Sequence, residues 1–135
     1  MNVTSSRPLE IEPASVAAYF AALRENDPRA WAASLAEDAV GHDPAGTPPL
    51  VGRDAFVEFL TAFIPKWGRF DGLREDEVFV SGAVVAVRWT GGGASALGTS
   101  VTFSGINLFF LDADGLISTF YSVFDLASVA AKLGS

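Results

Sequence analysis

Three polar side chains stand isolated among apolar neighbours in this chain: Tyr19, Asp43 and Asn107. Asp43 ends the extended segment from Ala39 and is followed by Pro44-Ala45-Gly46, and its neighbours Ala39, Val40, Ala45 and Gly46 are small and apolar. A carboxylate so placed loses solvation, and its pKa climbs toward the range of a general base. The competing reading is an Asx-Pro turn, in which the carboxylate satisfies nearby backbone amides. Tyr19 falls on the stripe Val16, Tyr19, Phe20 and Leu23, spaced i, i+3, i+4 and i+7, so it belongs to the buried side of a helix. Its hydroxyl either tucks against a backbone carbonyl or faces a ligand. Asn107 is the one side-chain polar group in the alternating row Val101, Phe103, Gly105, Asn107, Phe109 and Leu111. A buried amide there needs a partner, either a neighbouring backbone group or a ligand carbonyl.

Other chemistries have weaker footing. His42 is the only histidine, and on an extended segment it points away from Asp43 unless a bulge intervenes, so a dyad is not expected. With no cysteine and one histidine, no transition-metal site is expected. Asp112 and Asp114 lack the length and terminal Glu of a calcium loop and read as a hairpin turn. Gly91 to Gly93 joins strands rather than a strand and a helix, which excludes a phosphate loop. Asp125 is explained as a helix N-cap, with a second reading as an alternative base.

A length of 135 residues is one domain with a core of its own. The net charge of −7, with scattered basic residues, disfavours nucleic acid as a partner. The absence of cysteine and of an apolar run of about 18 residues leads to the expectation of a cytoplasmic protein with no membrane association. Eleven Phe residues either fill a core or line a cavity.

These residues need elements to hold them. Residues 1–12 read as a flexible arm, and 13–135 as the domain. Pro13 begins the first helix, and Asp27-Pro28 caps a second over about Pro28–Leu35. Ala39–Asp43 reads as a short strand, followed by a loop through Pro48 and Pro49. Gly52–Ile64 is a third helix with Phe56, Phe59, Leu60 and Phe63 on one stripe, ended by Pro65. The period then changes to 2, with strands expected over about 69–80, 83–90, 98–111 and 115–125, a glycine-rich loop over Gly91–Gly98, and a short helix over the last ten residues. Helices first and a strand meander afterwards spell α+β, with the sheet curled around the third helix.

The segment from Glu37 to Leu60, with Asp43 in Asp-Pro-Ala-Gly and Tyr19 in Ala-Tyr-Phe-Ala-Ala-Leu, resembles the ketosteroid isomerases and, more broadly, SnoaL-like and nuclear transport factor 2-like proteins. The resemblance spans about Val16 to Asp125 and implies a cone of three N-terminal helices on a curved antiparallel sheet. It implies Asp43 as the base abstracting a proton alpha to a carbonyl, with Tyr19 and Asn107 donating to the dienolate. Phe59, Phe63, Trp89 and Phe109 would shape a pocket for a hydrophobic small molecule, with no cofactor. The sequence departs from the isomerases at Asn107, where they carry a neutral acid, and at Leu60, where they carry a second Tyr supporting the first. The C-terminal stretch from Ile117 to Gly134 looks more like the SnoaL-like polyketide cyclases. Three functions follow as expectations: a ketosteroid isomerase-like enzyme, a polyketide cyclase using the same enolate, or a non-catalytic module binding a lipophilic ligand or a protein. The second face of the long strands, with Ile106, Leu108 and Phe110, is apolar and implies a homodimer.

Overall fold

In the computed structural model, which describes residues 12–135, the stripe Val16, Tyr19, Phe20 and Leu23 is the buried side of helix α1 (Ala14–Arg24). The arm expected over residues 1–12 lies, Glu12 apart, outside the described residues. Asp27 opens α2 (Pro28–Ala33), its carboxylate accepting the Ala30 N–H at 3.0 Å while Pro28 occupies the first turn. This helix is shorter than its sequence pattern. Leu35 instead begins β1 (Leu35–His42), where the backbone is taken up by pairing with the last strand.

Leu50–Val51 forms a two-residue strand, β2, on the outer edge of β1, between the expected loop through Pro49 and the expected helix from Gly52. Helix α3 (Arg53–Phe63) follows, and Arg53 fastens its first turn to β1 by donating to the Leu35 carbonyl at 2.7 and 3.1 Å. Pro65 lies in the single 3-10 turn Ile64–Lys66 that ends the helix. The meander comprises β3 (Arg69–Ser81), β4 (Val84–Ala94), β5 (Ser100–Leu111) and β6 (Ile117–Val123), and α4 (Leu126–Leu133) closes the chain. Asp125 is the N-cap of α4, accepting the Ser128 N–H at 3.0 Å.

The sheet order is β2-β1-β6-β5-β4-β3. All pairs are antiparallel except β1 and β6, which run parallel, so the sheet is mixed rather than wholly antiparallel. The reason is connectivity: β1 arrives from the helical layer, and no tight turn ties it to β6. Register shifts at Phe70/Leu73, Glu75/Glu77 and Phe110/Leu111 bend the long strands into an open cone. At the first of these bends Gly72 takes φ +83°, and a Cβ there would stand 2.5 Å from Arg24 Cα. The end of α1 therefore rests directly on β3, where Arg24 bonds the Leu73 carbonyl at 3.0 Å and pairs with Glu75.

The glycine-rich segment expected as a loop from Gly91 continues β4 as far as Ala94. Gly91, Gly92 and Gly93 are strand residues of β4, paired with Phe103, Thr102 and Val101. A Cβ on Gly91 would meet Leu73 and Phe103 side chains, and one on Gly93 would come within 1.9 Å of the Arg69 carbonyl oxygen. Here glycine permits close strand approach at the curved end of the sheet rather than a turn.

Candidate active site

The concave side of the sheet, α1, α2, α3 and α4 enclose a cavity of about 570 Å³, within the range that accepts a drug-sized ligand. Tyr19 from α1, Trp31 from α2, Asp43 from the end of β1, and Phe59 and Phe63 from α3 all contribute to its wall, with Trp89 from β4. The aromatic residues therefore leave space rather than fill it.

Asp43 follows the last residue of β1, and the loop after it is satisfied without it. The Ala45 N–H bonds the Ser122 carbonyl at 2.8 Å, and both the N–H and the hydroxyl of Thr47 bond the Pro44 carbonyl. No donor among the described residues bonds the Asp43 carboxylate, which removes the Asx-turn reading. The residue keeps partial exposure because it lines an open cavity. Its carboxyl is nonetheless ringed by protein, and burial alone pushes its pKa up from an ordinary 3.8 to about 7.

Asn107 is completely buried on the inner face of β5 and makes two side-chain bonds. Its Oδ1 accepts the Trp89 indole N–H at 2.9 Å, and its Nδ2 donates to the Tyr19 hydroxyl oxygen at 3.1 Å. An indole can only donate, so Trp89 fixes which end of the amide faces Tyr19. The Tyr19 oxygen is then an acceptor in that contact, and the phenolic proton is left to point elsewhere. Burial raises the Tyr19 pKa first and the Asp43 charge raises it further, while hydrogen bonding from Asn107 and the approach of Trp31 draw it down. Tyr19 is thus a neutral phenol within electrostatic reach of Asp43.

The remaining sequence candidates separate clearly. Phe59, Phe63 and Trp89 line the cavity; Phe109 stands outside its wall, fully buried behind Tyr19 with ring centroids 4.9 Å apart. Asn107 is likewise behind the wall, in contact with Tyr19 rather than with the cavity. His42 stacks on Tyr121 at 4.3 Å, on the other side of the strand from the cavity, so it forms no dyad with Asp43. Asp112 accepts the N–H groups of Asp114 and Leu116 as a turn residue. Among the described residues no cluster of His, Asp and Glu could hold a metal ion.

The sequence reading missed Trp31 as a wall residue, and although it placed the C-terminal helix, α4, it gave that helix no part in the cavity. Leu126, Val129 and Leu133 of α4 turn toward the cavity. Their i, i+3, i+7 spacing after a terminal strand was the available signal. Among the described residues no helix is long and apolar enough to cross a membrane.

The α+β cone is the fold of the nuclear transport factor 2-like superfamily, and here a carboxyl group and a phenol share its apolar cavity. Residues 16–120 match the family model of the SnoaL-like domain, and the chain belongs to that family. None of the curated proteins compared matches it in sequence. Similar solved structures include TerC co-crystallised with polyporic acid, at 20% identity and TM-score 0.77, covering 90% of this chain and 96% of that one. A hypothetical protein with a ketosteroid isomerase-like fold from Catenulispora acidiphila DSM 44928, in complex with trimethylamine, matches at 20% identity and TM-score 0.77, covering 90% and 93%. SalBIII, an epoxide hydrolase/cyclase-like enzyme in pyran ring formation in the polyether salinomycin, matches at 22% identity and TM-score 0.72, covering 90% and 93%.

Proposed function

We propose that this protein is an enzyme in which Asp43 abstracts a proton alpha to a carbonyl of a flat, hydrophobic small molecule. The observation that carries this reading is the Asp43 carboxylate itself: desolvated, bonded by no donor among the described residues, and on the same cavity wall as Tyr19. The C–H electron pair moves into the new enol C=C bond, and the carbonyl π pair moves onto oxygen. Tyr19 donates its proton as a hydrogen bond to that oxygen, because Asn107 already occupies one of its lone pairs. The neutral Asp43 carboxyl then returns the proton at another carbon of the extended enolate, which completes an isomerisation of a ketosteroid isomerase type. No step in this sequence calls for a cofactor.

The same enolate can attack a second carbonyl within the substrate, giving an aldol-type cyclisation. Membership of the SnoaL-like family and likeness to the cyclase-like SalBIII and to TerC co-crystallised with polyporic acid favour polyketide-like substrates for this second reading. We place the enzyme in the cytoplasm.

Asp43→Asn decides between an enzyme and a binding module. Steroids and aromatic polyketides that bind the wild type are assayed for deuterium exchange at the carbon next to the carbonyl. Exchange lowered by orders of magnitude with affinity kept is the expected result. Tight binding with no exchange in either protein would make the domain a lipophilic-ligand carrier.

A further inference from the structure

Trp31 stands on the cavity wall at 1% exposure, its ring 5.6 Å from that of Tyr19 and inclined by 59°. Its indole nitrogen is enclosed and has no hydrogen-bond partner among the described residues. An indole N–H can only donate, and a buried donor left unbonded is costly enough to require an explanation. The indole of Trp67 is also unbonded, but it is packed among Phe63, Phe70 and Phe103, away from Tyr19.

We propose that Trp31 is a positioning residue whose indole N–H is held in reserve for the Tyr19 oxygen and closes on it as negative charge gathers there. The inference rests on the reading of Tyr19 as the donor to the substrate oxygen. A phenol oxygen has two acceptor sites, and Asn107 uses one. The approach of Trp31 already draws the Tyr19 pKa down, against burial and the Asp43 charge, without reaching full bond geometry. When the substrate oxygen takes up the phenolic proton, the phenol oxygen becomes more negative and the indole bond becomes charge-assisted, hence shorter and stronger. An interaction weak before reaction and strong as charge develops lowers the barrier rather than tightening ground-state binding.

The test removes the N–H and keeps the ring. Trp31 is replaced by benzothienylalanine, Tyr19 by a fluorinated tyrosine that ionises in an accessible range, and Tyr121 by Phe so that a single fluorine signal is titrated. Loss of the N–H is expected to raise the Tyr19 pKa by about one unit or more. The same replacement at Trp67 is expected to leave it unchanged. An unmoved Tyr19 titration in the Trp31 analogue overturns the proposal. In protein with native tryptophan, the Trp31 indole N–H resonance should move downfield as Tyr19 ionises, and a resonance that stays fixed overturns it equally. Neither measurement uses substrate, so a negative result leaves the role of Asp43 untouched. Conversely, an inactive enzyme assay leaves this titration able to succeed.

Discussion

Asn107 donates to the hydroxyl oxygen of Tyr19 at 3.1 Å across 88 residues of sequence, and Trp89 holds the amide in the orientation that makes it the donor. Replacing Asn107 by Asp should therefore do harm that depends on pH. While the introduced carboxyl is protonated, it can still donate to Tyr19. Once ionised, it accepts the phenolic proton instead and turns it away from the cavity. The expected outcome is a kcat lowered about 10- to 100-fold with a modest change in KM, and a deficit that deepens as the pH is raised. Rate profiles of the wild type and Asn107→Asp that run parallel across pH would separate Asn107 from Tyr19 in function.

Asp43 makes stability depend on pH in a definite direction. The unfolded carboxyl ionises near 3.8 and the folded one at about 7, so between those values the folded chain keeps a proton that the unfolded chain has lost. Stability from this group falls as pH rises through the window and is level above it. Asp43→Asn has no proton to lose, so it should gain on the wild type by on the order of 2–4 kcal/mol between pH 4 and pH 8. Chemical denaturation of both proteins at the two pH values measures this. The turnover of the wild type should climb over the same interval, as the base ionises.

Among the glycines of the sheet, Gly93 leaves the least room for a Cβ. A methyl group there would approach the Arg69 carbonyl oxygen, a backbone atom with little freedom to yield. Gly93→Ala should cost about 2–4 kcal/mol and displace β3 from β4 at the cavity end. Gly134 has φ −80° and only ordinary contacts for a Cβ, so Gly134→Ala should stay within about 0.5 kcal/mol of wild type. Equal melting temperatures for the two variants would contradict the close approach.

The fold was legible wherever one face of an element is buried. The α1 stripe, the alternation of β5 and the Asp27 and Asp125 caps all occur where the pattern placed them, because periodicity and capping are local physics. What escaped was set by distant partners. Leu35 continues a helical pattern but enters β1, since β6 offers its backbone a parallel ladder. Gly91 to Gly93 have turn chemistry yet lie in β4, because Leu73, Phe103 and the Arg69 carbonyl leave no room for side chains. At the site, the solitary character of Asp43 and Asn107 marked them as residues needing an explanation. The identity of the Asn107 partners, Trp89 and Tyr19, depends on a register that no local pattern encodes.

The outer face of the sheet carries the last prediction, a homodimer. Ile106, opposite Val123 of β6 and beside Leu108 and Phe110 on β5, forms with them a continuous apolar surface: Ile106 is 48% exposed and Val123 52% exposed. Val84 of β4 extends it, paired with Phe110. A patch this continuous is covered in most soluble proteins, and a flat face related by a two-fold axis is complementary to itself. A stable pair buries about 800 Å² on each partner, which four long strands can supply. We therefore propose that two copies associate through this face, away from the cavities. Light scattering at micromolar concentration should give twice the mass of one chain. Ile106→Asp should convert that species to a monomer while leaving the cavity intact, since the side chain points away from it. A wild type that runs as one chain at micromolar concentration would remove the dimer and leave the site as described.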